Sequence, residues 1–119
     1  MFRFEKIDVW RVAIDLADRV YELTKTFPAD ERFGLTNQMR RAAVSVSSNI
    51  AEGSGRASDR DFARFIEIAY GSLMEVVSQS AIARKREYLA QQSFDAIYGE
   101  LHELARMLSG LRTTLRQND

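Results

Sequence analysis

Asn49-Ile50-Ala51-Glu52-Gly53-Ser54-Gly55-Arg56 closes a helix whose last part carries almost no charge. From Ala42 to Ala51 no residue is ionisable, although a helix on the rim of a small monomer normally turns a charged side to water. Such a helix is expected to be covered on more than one face. At about 100° per residue, Leu35, Met39, Ala42, Ala43, Val46 and Ile50 share one arc, the core stripe of an amphipathic helix. Gln38, Arg41, Ser45, Asn49 and Glu52 fall on the neighbouring arc, and Val44, Ser48 and Ala51 make a third, small-residue side. Alanine and serine also serve as undemanding helix fillers. A second packing partner, most simply another subunit, accounts better for the missing charge.

The rest of the chain repeats the helical pattern. Its one proline is Pro28, and 3-and-4 apolar spacing recurs throughout. A first helix is expected from Asp8, as N-cap, to Phe27, with Val9, Ala13, Leu16, Val20, Leu23 and Phe27 inward and Trp10, Ala17, Tyr21 and Thr24 widening the stripe. Pro28 to Gly34 is a connection holding a single helical turn. The second helix follows and ends at Gly53, where glycine can take the left-handed C-cap conformation. Ser58 with Asp61 resembles a capping box that opens a third helix reaching about Glu87. Phe62, Phe65, Ile66, Ala69, Leu73, Val76, Val77, Ser80 and Ala83 face its core, and Gly71 lies opposite. A weakly charged second flank holds Ile68, Ser72, Glu75, Gln79 and Ile82. After Tyr88 to Gln92, Ser93 is expected to cap a fourth helix. Phe94, Leu101, Leu108 and Leu115 recur there every seven residues, with Ile97, Leu104 and Leu111 at the second heptad position. The fold class is therefore all-α, an antiparallel up-down-up-down four-helix bundle in one domain over residues 1–119.

Composition narrows the function. A chain of 119 residues can bury a core without staples. Seventeen basic and seventeen acidic side chains cancel, so no global field attracts nucleic acid or an anionic membrane. Cysteine is absent, which removes disulfides, thiolate chemistry and sulfur-ligated zinc. Neither a signal-type apolar segment nor a membrane-spanning run is present, and a cytoplasmic protein is expected.

The series Val9-Trp10, Thr24-Lys25-Thr26-Phe27-Pro28, Glu31-Arg32-Phe33-Gly34-Leu35, Gln38-Met39-Arg40-Arg41-Ala42, Asn49-Ile50-Ala51-Glu52-Gly53 and Phe62-x-x-Phe65 resembles the four-helix-bundle family associated with intervening sequences in 23S ribosomal RNA genes of bacteria, also labelled S23 ribosomal proteins. The likeness runs from about Phe4 to Leu115. It implies a bundle assembling into a homopentameric ring. It also implies kinship with the accessory variability protein of diversity-generating retroelements, a basic pentamer proposed to bind nucleic acid. The zero net charge of this chain departs from that pattern.

Four candidate features follow. Gln38, Arg41, Ser45, Asn49 and Glu52 can form a buried polar network, with Glu75 pairing Arg41 because a buried charge needs a partner. The alternative for this stripe is a ligand site. Val44, Ser48, Ala51, Ile68, Ser72 and Ile82 are the candidate subunit interface. Arg40, Arg56, Arg60 and Arg64 are candidate nucleic-acid contacts, with Arg84-Lys85-Arg86 a second basic cluster; acidic neighbours make a solvated mixed-charge face the simpler reading. Gly53-Ser54-Gly55-Arg56 leads into a helix N-terminus, where anions are favoured, but it lacks the phosphate-loop lysine and spacing. A C-cap followed by an N-cap explains the loop. His102 is the one histidine, which leaves no Glu-x-x-His pair for a di-iron bundle and no hydrolytic triad. The expectation is a non-enzymatic oligomeric scaffold or adaptor without cofactor, metal or membrane, whose partner is itself. RNA or DNA binding by the assembled ring is the alternative.

Overall fold

The computed structural model describes residues 1–118. Four helices, α1 (Asp8–Thr24), α2 (Leu35–Ser54), α3 (Asp59–Lys85) and α4 (Gln91–Gln117), are joined by loops and by 3₁₀ turns at Arg3–Lys6 and Ala29–Glu31. No strand occurs among the described residues. α1 packs on α2 and α4, and α3 packs on the same two, so the four apolar stripes meet in one cluster. Val9, Leu16 and Val20 of α1, Met39, Val46 and Ile50 of α2, Phe62, Ile66, Leu73 and Val76 of α3, and Ile97, Leu101, Leu104 and Leu108 of α4 are buried there. The bundle is elongated, 46 × 23 × 21 Å, because its longest helices, at ~1.5 Å per residue, reach about 40 Å.

Helix ends depart from the sequence expectation where tertiary contacts decide them. Ile7, in extended conformation, is the N-cap of α1, and Asp8 is already helical. α1 stops at Thr24 rather than Phe27. The Thr24 hydroxyl donates back to the Val20 carbonyl at 2.8 Å, and Pro28 disfavours helix just before it. Phe27 nonetheless returns to the core from the loop, its ring 5.4 Å from that of Tyr88. Tyr21 is exposed and does not widen the stripe.

Gly53 is inside α2, not a left-handed cap; the helix ends at Ser54, and the C-cap Gly55 has a φ of −89°. The glycine serves close approach instead. A Cβ there would lie 2.6 Å from Phe65 Cβ and 2.8 Å from Phe62 Cδ1. Ser58 caps α3 as expected, accepting the Asp61 N–H at 3.1 Å. In that helix Phe65 and Val77 are only half-buried, while Ala63 is buried.

α3 ends at Lys85. The Glu87 and Tyr88 N–H groups then donate to the Arg84 and Ala83 carbonyls at 2.9 and 2.8 Å, a Schellman closure. Its left-handed position is taken by Glu87, with a φ of 64°. α4 starts at Gln91 with Ala90 as N-cap, so Ser93 lies within the helix and caps nothing. Arg84 determines this earlier start by donating to the Leu89 carbonyl at 3.1 Å and to Gln91 Oε1 at 3.0 Å.

Candidate functional site

α2 and α3 share the most extensive helix contact, and the polar stripe lies along its outer edge. Ser45 Oγ and Ser72 Oγ are 2.8 Å apart. Asn49 Nδ2 donates to the Ser45 carbonyl at 2.8 Å and to Ser45 Oγ at 3.1 Å. Ser72, expected at a subunit interface, is instead only 7% exposed and holds α3 to α2 within the chain. Further along the seam, Gln38, Arg41, Glu75 and Gln79 line an open depression of about 430 Å³ beside Phe33.

The expected buried Arg41–Glu75 pair is absent from the chain. Both residues are exposed, and no ion pair joins them among the described residues. The helical spacing puts them on the correct faces, but those faces meet water here. Glu52 also stands outside the network, pairing with Arg56 at 3.1 Å. Gln79 Oε1 is buried without a hydrogen-bond partner.

Beside this seam, Val44, Ile68 and Ile82 are 39%, 52% and 49% exposed. Ser48 is exposed and Ala51 half-buried. Aliphatic side chains thus flank a polar groove that also carries Arg41 and Glu75.

The four arginines do not form one surface. Arg40 Nε donates to Thr24 Oγ1 at 2.8 Å, and its guanidinium lies 4.7 Å from the Tyr21 ring centroid. It sits near the start of α2, and Arg56 follows its end, about 24 Å away at ~1.5 Å per residue. Arg56 is held by Glu52 and stacks on Phe65 at 4.5 Å. Arg64 lines one depression with Arg56 and Phe65 and a second, of about 460 Å³, with Arg60, Glu67 and Arg116 of α4, so Arg56, Arg60 and Arg64 lie together and Arg40 stands apart. Arg116 pairs with Glu67. Arg3 adds a cation at the same end, 3.9 Å from Asp59. Sequence reasoning misses Arg116 and Arg3, because the meeting of both chain ends with the start of α3 is not local.

The Gly55 loop behaves as a connection. Ser58 already occupies one amide of the α3 N-terminus, and Asp59 and Asp61 place carboxylates in its first turn, where an anion would have to sit. His102 is exposed and extends an aromatic ladder on α4, 5.9 Å from Tyr98, which is 5.8 Å from Phe94. Among the described residues no group of His, Asp and Glu could hold a metal ion, and no helix is long and apolar enough to cross a membrane.

At the other end of the bundle Glu31 ties two loops together. Its Oε1 accepts the Leu35 N–H at 3.1 Å, and its Oε2 accepts the Tyr88 hydroxyl at 2.9 Å. The Leu35 amide above all, then Tyr88, holds the Glu31 carboxyl below its ordinary value. The Tyr88 hydroxyl raises the pKa of Arg86.

The profile of the 23S rRNA-intervening sequence protein family matches residues 5–110. The chain belongs to that family. A crystal structure of a protein of unknown function from the S23 ribosomal protein family of Bacteroides thetaiotaomicron superposes with a TM-score of 0.81. It is 22% identical, and the match covers 88% of this chain and 95% of that one. At that identity the likeness shows the shared fold alone. No curated protein matches this family member.

Proposed function

We propose that the chain is a non-enzymatic, cytoplasmic scaffold or adaptor that works as a homo-oligomer assembled through the α2–α3 face. One observation carries the reading: Val44, Ile68 and Ile82 stand exposed beside the seam that Ser45 and Ser72 close. Burying those aliphatic side chains against a neighbouring subunit is favourable. The short links at residues 55–58 and 86–90 and the continuous apolar cluster support one domain with an up-down-up-down antiparallel sense. The family resemblance makes a five-membered ring the expected assembly.

Light scattering tests this. The expected mass is several times 13.6 kDa, and Ile68→Asp should reduce it. A monomer at micromolar concentration would overturn the proposal.

A second reading rests on the cleft shared by Arg60, Arg64 and Arg116. Repeated around a ring, a modest cationic patch becomes multivalent, which suits RNA or DNA phosphate.

A further inference from the structure

Arg60, Arg64 and Ile68 follow one another at four-residue steps along one face of α3. Arg64, in the middle, lines two depressions at once. On one side it faces Arg60, Glu67 and Arg116 across the cleft of about 460 Å³. On the other it faces Arg56, Asp61, Phe65 and Ile68 across a depression of about 250 Å³. Arg60 and Arg64 are both exposed and in no ion pair among the described residues, although like charges one turn apart repel. Of the two carboxylates here, Glu67 is held by Arg116, and Asp61 sits in the first turn of α3, where the helix N-terminus favours it.

The cations therefore continue past Arg64 from one depression into the next. A single small anion fills only one of them, whereas a chain of phosphates engages Arg60 and Arg64 in turn and runs on past Arg56, each free guanidinium making a charge-assisted contact. Ile68 belongs to the face assigned above to subunit contact and is 52% exposed. A neighbour that covers Ile68 also takes water from the adjoining side of Arg64. Desolvating an unpaired guanidinium is unfavourable, and a phosphate at that position supplies the missing charge.

We infer that nucleic-acid binding and subunit assembly are coupled through Arg64, an inference that rests on both the oligomer and the nucleic-acid readings above. A phosphate backbone lying along Arg60 and Arg64 lowers the cost of closing the subunit contact at Ile68. By linkage, each site of the assembled protein binds that backbone more tightly than the monomer does.

Sedimentation velocity on the full chain over a dilution series, with and without a short oligouridylate, tests the coupling. The oligonucleotide should lower the protein concentration at which the assembly dissociates by about fivefold or more. Arg64→Gln should lower that concentration without any oligonucleotide and abolish the oligonucleotide's effect, with the assembled mass unchanged. Ile82→Asp, about 27 Å from Arg64 along α3 at ~1.5 Å per residue, should weaken assembly and oligonucleotide affinity together. Unaltered affinity in that variant would mean a site complete within one chain and would overturn the coupling. Polyglutamate of similar length should not reproduce the shift; if it does, the assignment to phosphate is overturned. A monomeric wild type would remove the oligomer reading, and an oligomer that ignores oligouridylate would remove the nucleic-acid reading. An oligomer that binds it with an unmoved dissociation midpoint would overturn the coupling alone.

Discussion

Tyr88 donates its hydroxyl to Glu31 Oε2 at 2.9 Å across a sequence separation of 57 residues. Because Glu31 Oε1 also accepts the Leu35 N–H at the start of α2, one carboxylate joins the α1–α2 connection to the α3–α4 connection. It further satisfies a helix N-terminal amide that has no intrahelical partner.

The stability supplied by this carboxylate should depend on pH. Its folded pKa is lowered from 4.5, first by the Leu35 amide and then by Tyr88. The contribution is therefore full above 4.5 and lost as pH falls through the lowered folded value. Thermal midpoints of wild type and Glu31→Gln should differ most near neutrality and converge in acid. A difference that does not vary with pH would rule out the ionised carboxylate as the tie.

Two glycines should respond in opposite directions to alanine. At Gly53 the new Cβ meets Phe65 and Phe62, and overpacking costs roughly 1–3 kcal/mol, which outweighs the helix-propensity gain. At Gly99 nothing lies within 4 Å, so Gly99→Ala should stabilise by up to about 1 kcal/mol. Denaturant midpoints check both; a stable Gly53→Ala protein would mean that α2 and α3 can separate without loss.

The same contrast shows what is legible in the sequence. Leu101, Leu104, Leu108 and Leu115 declare their burial because heptad spacing is a local signal. Gly53 misleads because a C-cap glycine and a close-packing glycine look alike until Phe62 and Phe65 are placed. Arg41 and Glu75 fall on the right faces, but a helical wheel gives direction and not what covers it. Arg40 and Arg56 do not belong to one group, because most of α2 separates them. The Arg60, Arg64 and Arg116 cleft depends on the end of α4 reaching the start of α3.

Glu87 should be improvable. Its φ of 64° places a side-chain-bearing residue where the left-handed conformation costs roughly 1–2 kcal/mol. Glu87→Gly should raise stability by about 1 kcal/mol, less some added chain entropy, whereas Glu87→Ala should not. Equal midpoints for the two variants would show that the turn carries no strain.

Ser80 is 1% exposed, and its hydroxyl has no hydrogen-bond partner. An unpaired buried hydroxyl costs about 1–3 kcal/mol. Ser80→Ala should therefore stabilise the bundle, against the usual direction for a core truncation. Loss of stability on calorimetry would reveal a partner for the hydroxyl in the folded protein.

Nucleic-acid binding, where it occurs, should follow the Arg60 and Arg64 cleft and not Arg40, which is engaged by Thr24 and Tyr21. With seventeen positive and seventeen negative side chains, affinity for RNA or DNA should be weak and insensitive to sequence. It should fall steeply with salt, because each neutralised phosphate releases counterions. Replacing Arg60 and Arg64 together with glutamine should lower the log–log salt slope by about 0.7–0.9 for each phosphate that is no longer neutralised. The light-scattering mass should stay unchanged, because both side chains are exposed. Arg40→Gln should leave the slope as it was. A slope that responds to Arg40 and ignores the cleft would place the polyanion at the opposite end of the bundle.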